Sequence, residues 1–85
     1  MQLAKTPSML ATAVESSTLT TVAYDCASQV LRLEFRSRAV YCYFDVPPRV
    51  HLDLLAADSK GSYFNRNIRG RFPYHRLADR PQTQG

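Results

Sequence analysis

Three segments rich in aliphatic, β-branched and aromatic residues follow one another in the middle of the chain, at residues 19–25, 29–35 and 39–45. The clearest is the second, in which apolar and charged side chains alternate from Leu31 to Phe35. Such alternation is typical of a strand with one buried and one wet face. Only short polar stretches separate the segments, and short turns join antiparallel neighbours. The sequence therefore predicts a three-stranded antiparallel β-meander.

The period of the apolar residues changes after the third strand. The Pro47-Pro48 pair cannot continue a β-ladder but suits the first turn of a helix, and Val50, Leu54 and Ala57 then recur at helical spacing. We expect either Asp45 or Val46 to cap this helix, and Asp45 is chemically the better cap.

A second short helix is predicted after the polar stretch 58–62, with Ser62 as its cap. Phe64 and Ile68 then share one face at a spacing of i and i+4, and Gly70 ends the helix through a left-handed residue. Residues 72–74 follow as an extended segment. The predicted fold class is α+β, a small three-stranded antiparallel β-meander followed by two short helices packed on one face.

The length of 85 residues suits a single domain. We assign residues 13–77 to one α+β domain, residues 1–12 to a flexible N-terminal arm and residues 78–85 to a flexible C-terminal tail. No apolar run approaches the ~20 residues that a membrane-spanning helix needs. The start of the chain also lacks a convincing signal peptide, so we expect a cytoplasmic protein with no membrane partner.

Neither metal nor cofactor is expected from the side-chain chemistry. Cys26 and Cys42 match no zinc or redox spacing, and we expect two reduced thiols. The alternative is a disulfide between them, if adjacent strands bring the two residues together. His51 and His75 have no acidic neighbour at a chemically telling spacing, so we expect neither to be catalytic. Because no nucleophile motif is present either, the sequence does not predict an enzyme.

Positive charge is concentrated near the carboxyl end. Residues 1–59 contain five basic and six acidic side chains, whereas residues 60–85 contain six basic side chains and only Asp79 as an acid. Clustered basic residues are typical of nucleic-acid binders. One interpretation is therefore a phosphate-binding strip, and the other is a solvated face paired in part with Asp53, Asp58 and Glu34. The candidate phosphate contacts are Lys60, Arg66, Arg69, Arg71 and Arg76.

Aromatic residues lie among these cations and on the third strand. Tyr41 and Tyr43 project from the same face of a strand about 7 Å apart, a spacing that suits two stacked bases. The alternative is that both rings lie under a helix as core residues. Val40, Cys42 and Phe44 make the other face equally apolar, so the pattern does not decide which face the helices cover. Tyr63, Tyr74 and Asn65 are further candidate nucleic-acid contacts.

Three motifs follow one another along the chain. They are Val14-Glu15-Ser16-Ser17, Tyr41-x-Tyr43 and Gly61-Ser62-Tyr63-Phe64-Asn65-Arg66-Asn67-Ile68-Arg69. In order and spacing they resemble the KTSC domain, a family named for the carboxyl-terminal domain of some lysyl-tRNA synthetases and also found as short bacterial and phage proteins. The resemblance extends over about residues 13–77 and implies a fold together with a suggestion of RNA binding. It does not imply aminoacylation, because no synthetase catalytic motif is present.

Two classes of function are consistent with these features. The first is a module that binds RNA or single-stranded nucleic acid, with arginines on phosphates and a tyrosine stacked on a base. The second is a protein-interaction or scaffold module, since tyrosine and arginine are also enriched at the centres of protein interfaces. The salt dependence of binding distinguishes the two classes. With three or four phosphate contacts, the logarithm of the affinity should fall with the logarithm of the salt concentration with a slope of about −2 to −4, whereas a protein interface should barely respond.

Overall fold

The computed structural model describes residues 10–77, which form one antiparallel sheet and two helices. The five strands of the sheet lie in chain order. They are β1 (Leu10–Ala13), β2 (Leu19–Asp25), β3 (Val30–Phe35), β4 (Val40–Tyr43) and β5 (Tyr74–Leu77). The helices α1 (Pro48–Ala56) and α2 (Lys60–Asn67) connect β4 to β5.

The predicted α+β class and the three central strands are confirmed, but the sheet has five strands instead of three. Leu10–Ala13, which the sequence analysis places mainly in an arm, pair with β2, so residues 10–12 do not belong to a free arm. Tyr74–Leu77 pair with β4 at the opposite edge. Residues 1–9 and the predicted tail at 78–85 lie outside the described residues.

Polar turns join the central strands as the sequence predicts. Asp25 accepts hydrogen bonds from the backbone N–H of Ala27 at 3.2 Å and from the Ser28 hydroxyl at 2.8 Å, which closes the turn after β2. Between β3 and β4, the backbone N–H of Arg38 donates to the carbonyl of Phe35 at 2.8 Å. These short connections hold the strands in register.

The hydrophobic core lies between the two helices and one face of the sheet. Val22, Tyr24, Leu31, Leu33 and Tyr43 contribute from the strands, and none of them is more than 4% exposed. The helices add Leu54 and Phe64 to this cluster, and Ile68 joins it directly after α2. Both helices therefore cover the Tyr41 and Tyr43 face of β4, which answers the question that the sequence leaves open.

The first helix is positioned by the residue before its two prolines. Val46 is fully buried, and its carbonyl accepts a hydrogen bond from the Tyr24 hydroxyl at 2.6 Å. The N-cap of α1 is Pro47, with no side-chain cap, so the expected capping role of Asp45 or Val46 is wrong. Asp45 instead adopts a left-handed backbone conformation with a φ of 62°.

The second helix begins earlier than predicted. Its N-cap is Ser59, whose hydroxyl accepts a hydrogen bond from the backbone N–H of Ser62 at 3.3 Å, so Ser62 lies inside the helix. Gly61 packs so closely on Thr18 that a Cβ atom at this position would lie 2.5 Å from the Thr18 hydroxyl oxygen. The helix ends at Asn67 with Ile68 as its C-cap, so the predicted helix end at Gly70 is wrong. Gly70 does have the predicted left-handed conformation, with a φ of 76°, in the turn that follows.

Cys26 and Cys42 are both free thiols. Within residues 10–77, no helix is both long enough and apolar enough to cross a membrane.

Candidate functional site

Five aromatic rings meet on the helix-covered side of the sheet, near the edge strand β5. Phe64 of α2 packs edge-on against Phe35 and Tyr43, with centroid separations of 5.3 Å and 5.9 Å. Tyr41 and Tyr43 are stacked at 6.2 Å, and Tyr74 lies 5.7 Å from Tyr41 and 5.6 Å from Tyr43. These separations fall in the range of favourable aromatic pairs.

An open concavity of about 480 Å³ lies over this cluster. We refer to it as the aromatic pocket. Its walls come from the β3–β4 turn, the strands β4 and β5, and the end of α2. The lining residues are Phe35, Ser37, Ala39, Tyr41, Tyr43, Phe64, Arg69, Gly70 and Tyr74.

Arg69 brings a positive charge to the pocket. It lies just after α2, and one of its guanidinium nitrogens donates to the side-chain oxygen of Asn65 at 3.4 Å. Within residues 10–77 this guanidinium has no carboxylate partner. Its charge acts on the pocket floor, because it opposes part of the rise in the pKa of the Tyr43 hydroxyl. Arg69 therefore lines the pocket as an exposed cation that is able to bind an anion.

The edge strand β5 adds a second arginine and an exposed ring. Strand pairing places Tyr74 opposite Tyr43 and Arg76 opposite Tyr41, on the same face of the sheet as the pocket. The Arg76 guanidinium lies over the Tyr41 ring, 5.8 Å from its centroid, which is within cation–π range. Tyr74 is 59% exposed, so much of its ring faces solvent at the pocket margin.

Tyr43 forms the floor of the pocket and belongs to the core. Tyr43 is only 3% exposed, and burial raises the pKa of its hydroxyl to about 12. The neighbouring Tyr41 and Tyr74 add to this rise. A ring that is covered on this scale cannot stack flat on a base, so we remove Tyr43 from the predicted two-base platform. Tyr41 is half-buried and lines the pocket beside it.

Six residues selected from the sequence do not line the pocket, although Asn65 contacts Arg69 and Arg76 lies over the Tyr41 ring. The six are Lys60, Tyr63, Asn65, Arg66, Arg71 and Arg76. Lys60 donates from its ammonium group to the carbonyl of Ala57 at 3.0 Å, across the connection between the helices. Tyr63 packs against the hydrophobic core. Arg71 donates from Nε to the backbone carbonyl of Arg66 at 3.0 Å. Arg66 and Arg71 are therefore a pair at the end of α2, separate from Arg69 and Arg76 at the pocket.

Ion pairing of these arginines, which is one of the two interpretations of the sequence, is absent at three positions in the described part of the chain. Arg66, Arg69 and Arg71 have no carboxylate partner among residues 10–77. The nearby acids pair elsewhere, Glu34 with Arg32 and Asp53 with Arg49, each at 3.5 Å. The positive charge at the end of α2 is therefore not neutralised by these two acids.

Five residues that line the pocket are not predicted as site residues from the sequence. They are Phe35, Phe64, Ser37, Ala39 and Gly70. The sequence pattern of the two phenylalanines indicates core positions, and both do pack in or against the core. Ser37 and Ala39 lie in a turn and carry no signal of a site, and Gly70 signals only the end of the helix.

His51 is buried on the opposite half of the core. It stacks on Tyr24 with a centroid separation of 4.6 Å, and its Nε2 has no hydrogen-bond partner in the described part of the chain. Burial lowers the pKa of its imidazole, and no neighbouring charge contributes to that shift. These contacts are those of an aromatic ring packed in the core and not those of an acid–base pair.

A family model described as the KTSC domain matches residues 15–72. The chain belongs to the KTSC domain family. The match covers β2 to β4, both helices and the start of the segment that leads to β5. The pocket residues Tyr41, Tyr43, Phe64 and Arg69 come from two of the motifs that indicated the family.

Other KTSC-like proteins agree with this assignment. A crystal structure of a KTSC domain protein from Yersinia pestis superposes with a TM-score of 0.80 at 32% identity, covering 84% of this chain and all of that one. A protein of Tsukamurella paurometabola is 48% identical over 59 residues, which are 69% of this chain and 88% of the relative.

A lysine–tRNA ligase of Nostoc punctiforme is 44% identical over 64 residues. The similar region covers 75% of this chain but only 11% of the ligase. The KTSC domain is thus a small part of that enzyme.

Proposed function

We propose that this KTSC domain binds RNA at the aromatic pocket, with Arg69 on a phosphate and Tyr74 stacked on a base. The observation that carries the proposal is the position of Arg69. Its guanidinium lies at the rim of an open pocket lined by tyrosines and has no carboxylate partner among residues 10–77. Arg76 adds a second guanidinium on the Tyr41 side.

The two residue types have separate tasks in such a site. Guanidinium groups present planar donors that match phosphate oxygens and release counterions when they bind. A base that stacks on an aromatic side chain gains about 1–3 kcal/mol. A pocket that combines both binds a nucleotide by its phosphate and its ring, whereas a solvated arginine face binds neither specifically.

Similarity to part of a lysine–tRNA ligase supports RNA as the ligand class. The name of that relative states that it acts on tRNA. Because the similar region is a small fraction of the ligase, the resemblance supports a binding module and carries no aminoacylation activity to this chain.

The test is a titration of fluorescently labelled single-stranded RNA, tRNA and duplex DNA, followed by anisotropy over a salt series. Arg69→Gln is compared with Arg49→Gln, which removes the same charge from an exposed residue of α1 outside the pocket lining. We expect Arg69→Gln to weaken RNA binding about tenfold and to reduce the salt slope by about 0.7–1. Arg49→Gln should leave both within error of the unmodified domain.

Equal effects of the two substitutions would show that net charge, not the pocket, drives binding. Failure of the unmodified domain to bind RNA at low salt would refute the proposal. Thermal melts of both variants are needed to show that each remains folded.

The second candidate function is binding of a protein partner at the edge of the sheet. It is favoured by β5, an edge strand on which Tyr74, His75 and Arg76 are all exposed. An exposed edge can pair with an extended peptide through backbone hydrogen bonds. Such binding depends little on salt, so the same salt series separates it from RNA binding.

A further inference from the structure

We infer that the aromatic pocket takes a single unpaired nucleotide of an RNA, such as a bulged or terminal base, rather than a run of stacked bases or a duplex. The inference rests on the proposed RNA-binding function and specifies its substrate. It follows from how many rings the pocket leaves open, from the shape of the pocket and from the position of its charges.

The number of open rings limits the site to one base. Tyr43 is buried as the pocket floor, and the Tyr41 ring is covered in part by the Arg76 guanidinium. Of the three tyrosines in the pocket, Tyr74 alone is exposed, with 59% of its surface accessible. Tyr41 and Tyr74 already contact each other at 5.7 Å, which leaves no space for a base between them. One ring surface is therefore available for stacking.

The shape of the pocket favours an unpaired base. The turn at Ser37, the end of α2 at Arg69 and the edge strand at Tyr74 border this concavity on different sides. Its volume of about 480 Å³ lies in the lower half of the range of ~300–1,000 Å³ that is typical of small-ligand pockets. A base inside a duplex is covered above and below by its neighbours, so a base must leave the stack to reach a concave site.

Polar groups inside the pocket can hold the nucleotide once it enters. The hydroxyls of Tyr41 and Tyr74 form no hydrogen bond with other residues in the range 10–77 and are able to bond the edge of a base. Arg69 lies at the α2 side, where it can reach the phosphate of the same nucleotide. The pocket thus contains an aromatic surface, hydroxyls and a guanidinium for one nucleotide.

The inference is tested with three RNA hairpins of the same stem sequence, measured by anisotropy with the full chain. One hairpin is fully paired, the second has one bulged nucleotide, and the third has an abasic residue at the bulge. We expect the bulged hairpin to bind about tenfold tighter than the other two, because only it offers a free base.

Tyr74→Ala should remove this preference, so that the bulged hairpin binds no more tightly than the paired and abasic hairpins. His75→Ala is the matched control, since His75 is exposed on the same strand but points to the opposite face of the sheet. If Tyr74→Ala unfolds the domain, Tyr74→Leu replaces it, because leucine keeps apolar bulk but offers no ring.

Equal affinity for the three hairpins, with binding still sensitive to salt and to Arg69→Gln, would overturn the single-nucleotide inference and leave RNA binding intact. No binding to any hairpin or to single-stranded RNA would refute the proposed function and the inference together.

Discussion

Replacing Tyr43 by phenylalanine tests whether this ring is the buried floor of the pocket. The residue is 3% exposed, and burial raises the pKa of its hydroxyl from the ordinary value of 10 to about 12. In the unfolded chain the hydroxyl ionises near the ordinary value. Between these two pH values the folded state therefore retains a proton that the unfolded state has lost.

The sign and size of the effect follow from this difference. Retaining the proton costs stability as the pH rises, because ionisation favours the unfolded chain. Each pKa unit corresponds to 1.36 kcal/mol, so the unmodified domain should lose about 2–3 kcal/mol through Tyr43 between pH 10 and pH 12. Tyr43→Phe cannot ionise and should not show this loss.

The assay is denaturant unfolding of both proteins at neutral pH and at several alkaline pH values. The two free energies of unfolding should be similar at neutral pH, since the Tyr43 hydroxyl forms no hydrogen bond with other described residues. Tyr43→Phe should then become more stable than the unmodified domain by about 2–3 kcal/mol near pH 12. Parallel pH dependences would show that Tyr43 is solvated and would refute its place in the core.

Three further substitutions test the packing of the domain. Leu33→Ala should destabilise the fold by about 2–5 kcal/mol in denaturant unfolding, because Leu33 is fully buried. The control is Leu52→Ala, at a residue that is 57% exposed, and it should change the free energy of unfolding by less than about 1 kcal/mol. His51→Phe should reduce the loss of stability on acidification below pH 6.5, since the buried imidazole has a lowered pKa and its protonation favours the unfolded chain; an unchanged acid profile would contradict this. Gly61→Ala should destabilise the domain by about 1–3 kcal/mol, because the added Cβ clashes with Thr18. Adding Thr18→Ala should recover part of that loss in a double-mutant cycle. Simple additivity of the two substitutions would argue against the contact.

The central strands could be predicted because their alternation matches their burial. In β3, Leu31 and Leu33 point into the core while Arg32 and Glu34 lie on the other face, as the pattern indicates. The polar stretch after the first of these strands also predicts a turn correctly, because the Asp25 carboxylate accepts hydrogen bonds from the Ala27 backbone and the Ser28 hydroxyl.

The two edge strands could not be predicted in the same way. The strand β1 has the sequence Leu-Ala-Thr-Ala, and alanine is depleted in strands, so its pairing with β2 leaves no strong local signal. In β5, the residues Tyr74, His75 and Arg76 are exposed and only Leu77 is half-buried. Edge strands of this length are set by pairing with a neighbour, which a single chain segment does not reveal.

The helix caps were mispredicted for a related reason. Ser59 and Ser62 are both good capping residues, so the sequence does not decide between them. The helix begins at the earlier one, where Gly61 lies in its first turn and packs against Thr18. At α1, the burial of Val46 and its hydrogen bond with Tyr24 position the chain, so no side-chain cap is present.

The candidate site was accessible from the sequence only in part. Arg69, Arg76, Tyr41 and Tyr74 were selected for their charge and aromatic character, and the fold brings them together at one pocket. The pattern could not assign Tyr43 to the core, because both faces of β4 are apolar. The walls of the pocket come from the approach of α2 to the β3–β4 turn, which is a long-range contact with no local signature.

The proposed site of RNA binding is the aromatic pocket. The most direct measurement is a nuclear magnetic resonance titration of the isotope-labelled domain with a short single-stranded RNA. We predict that the resonances of Tyr41, Arg69, Gly70 and Tyr74 shift together and that those of Arg49 and Tyr63 do not. Shifts concentrated on α1 or on the opposite face of the sheet, or no shifts at all, would contradict RNA binding at this pocket.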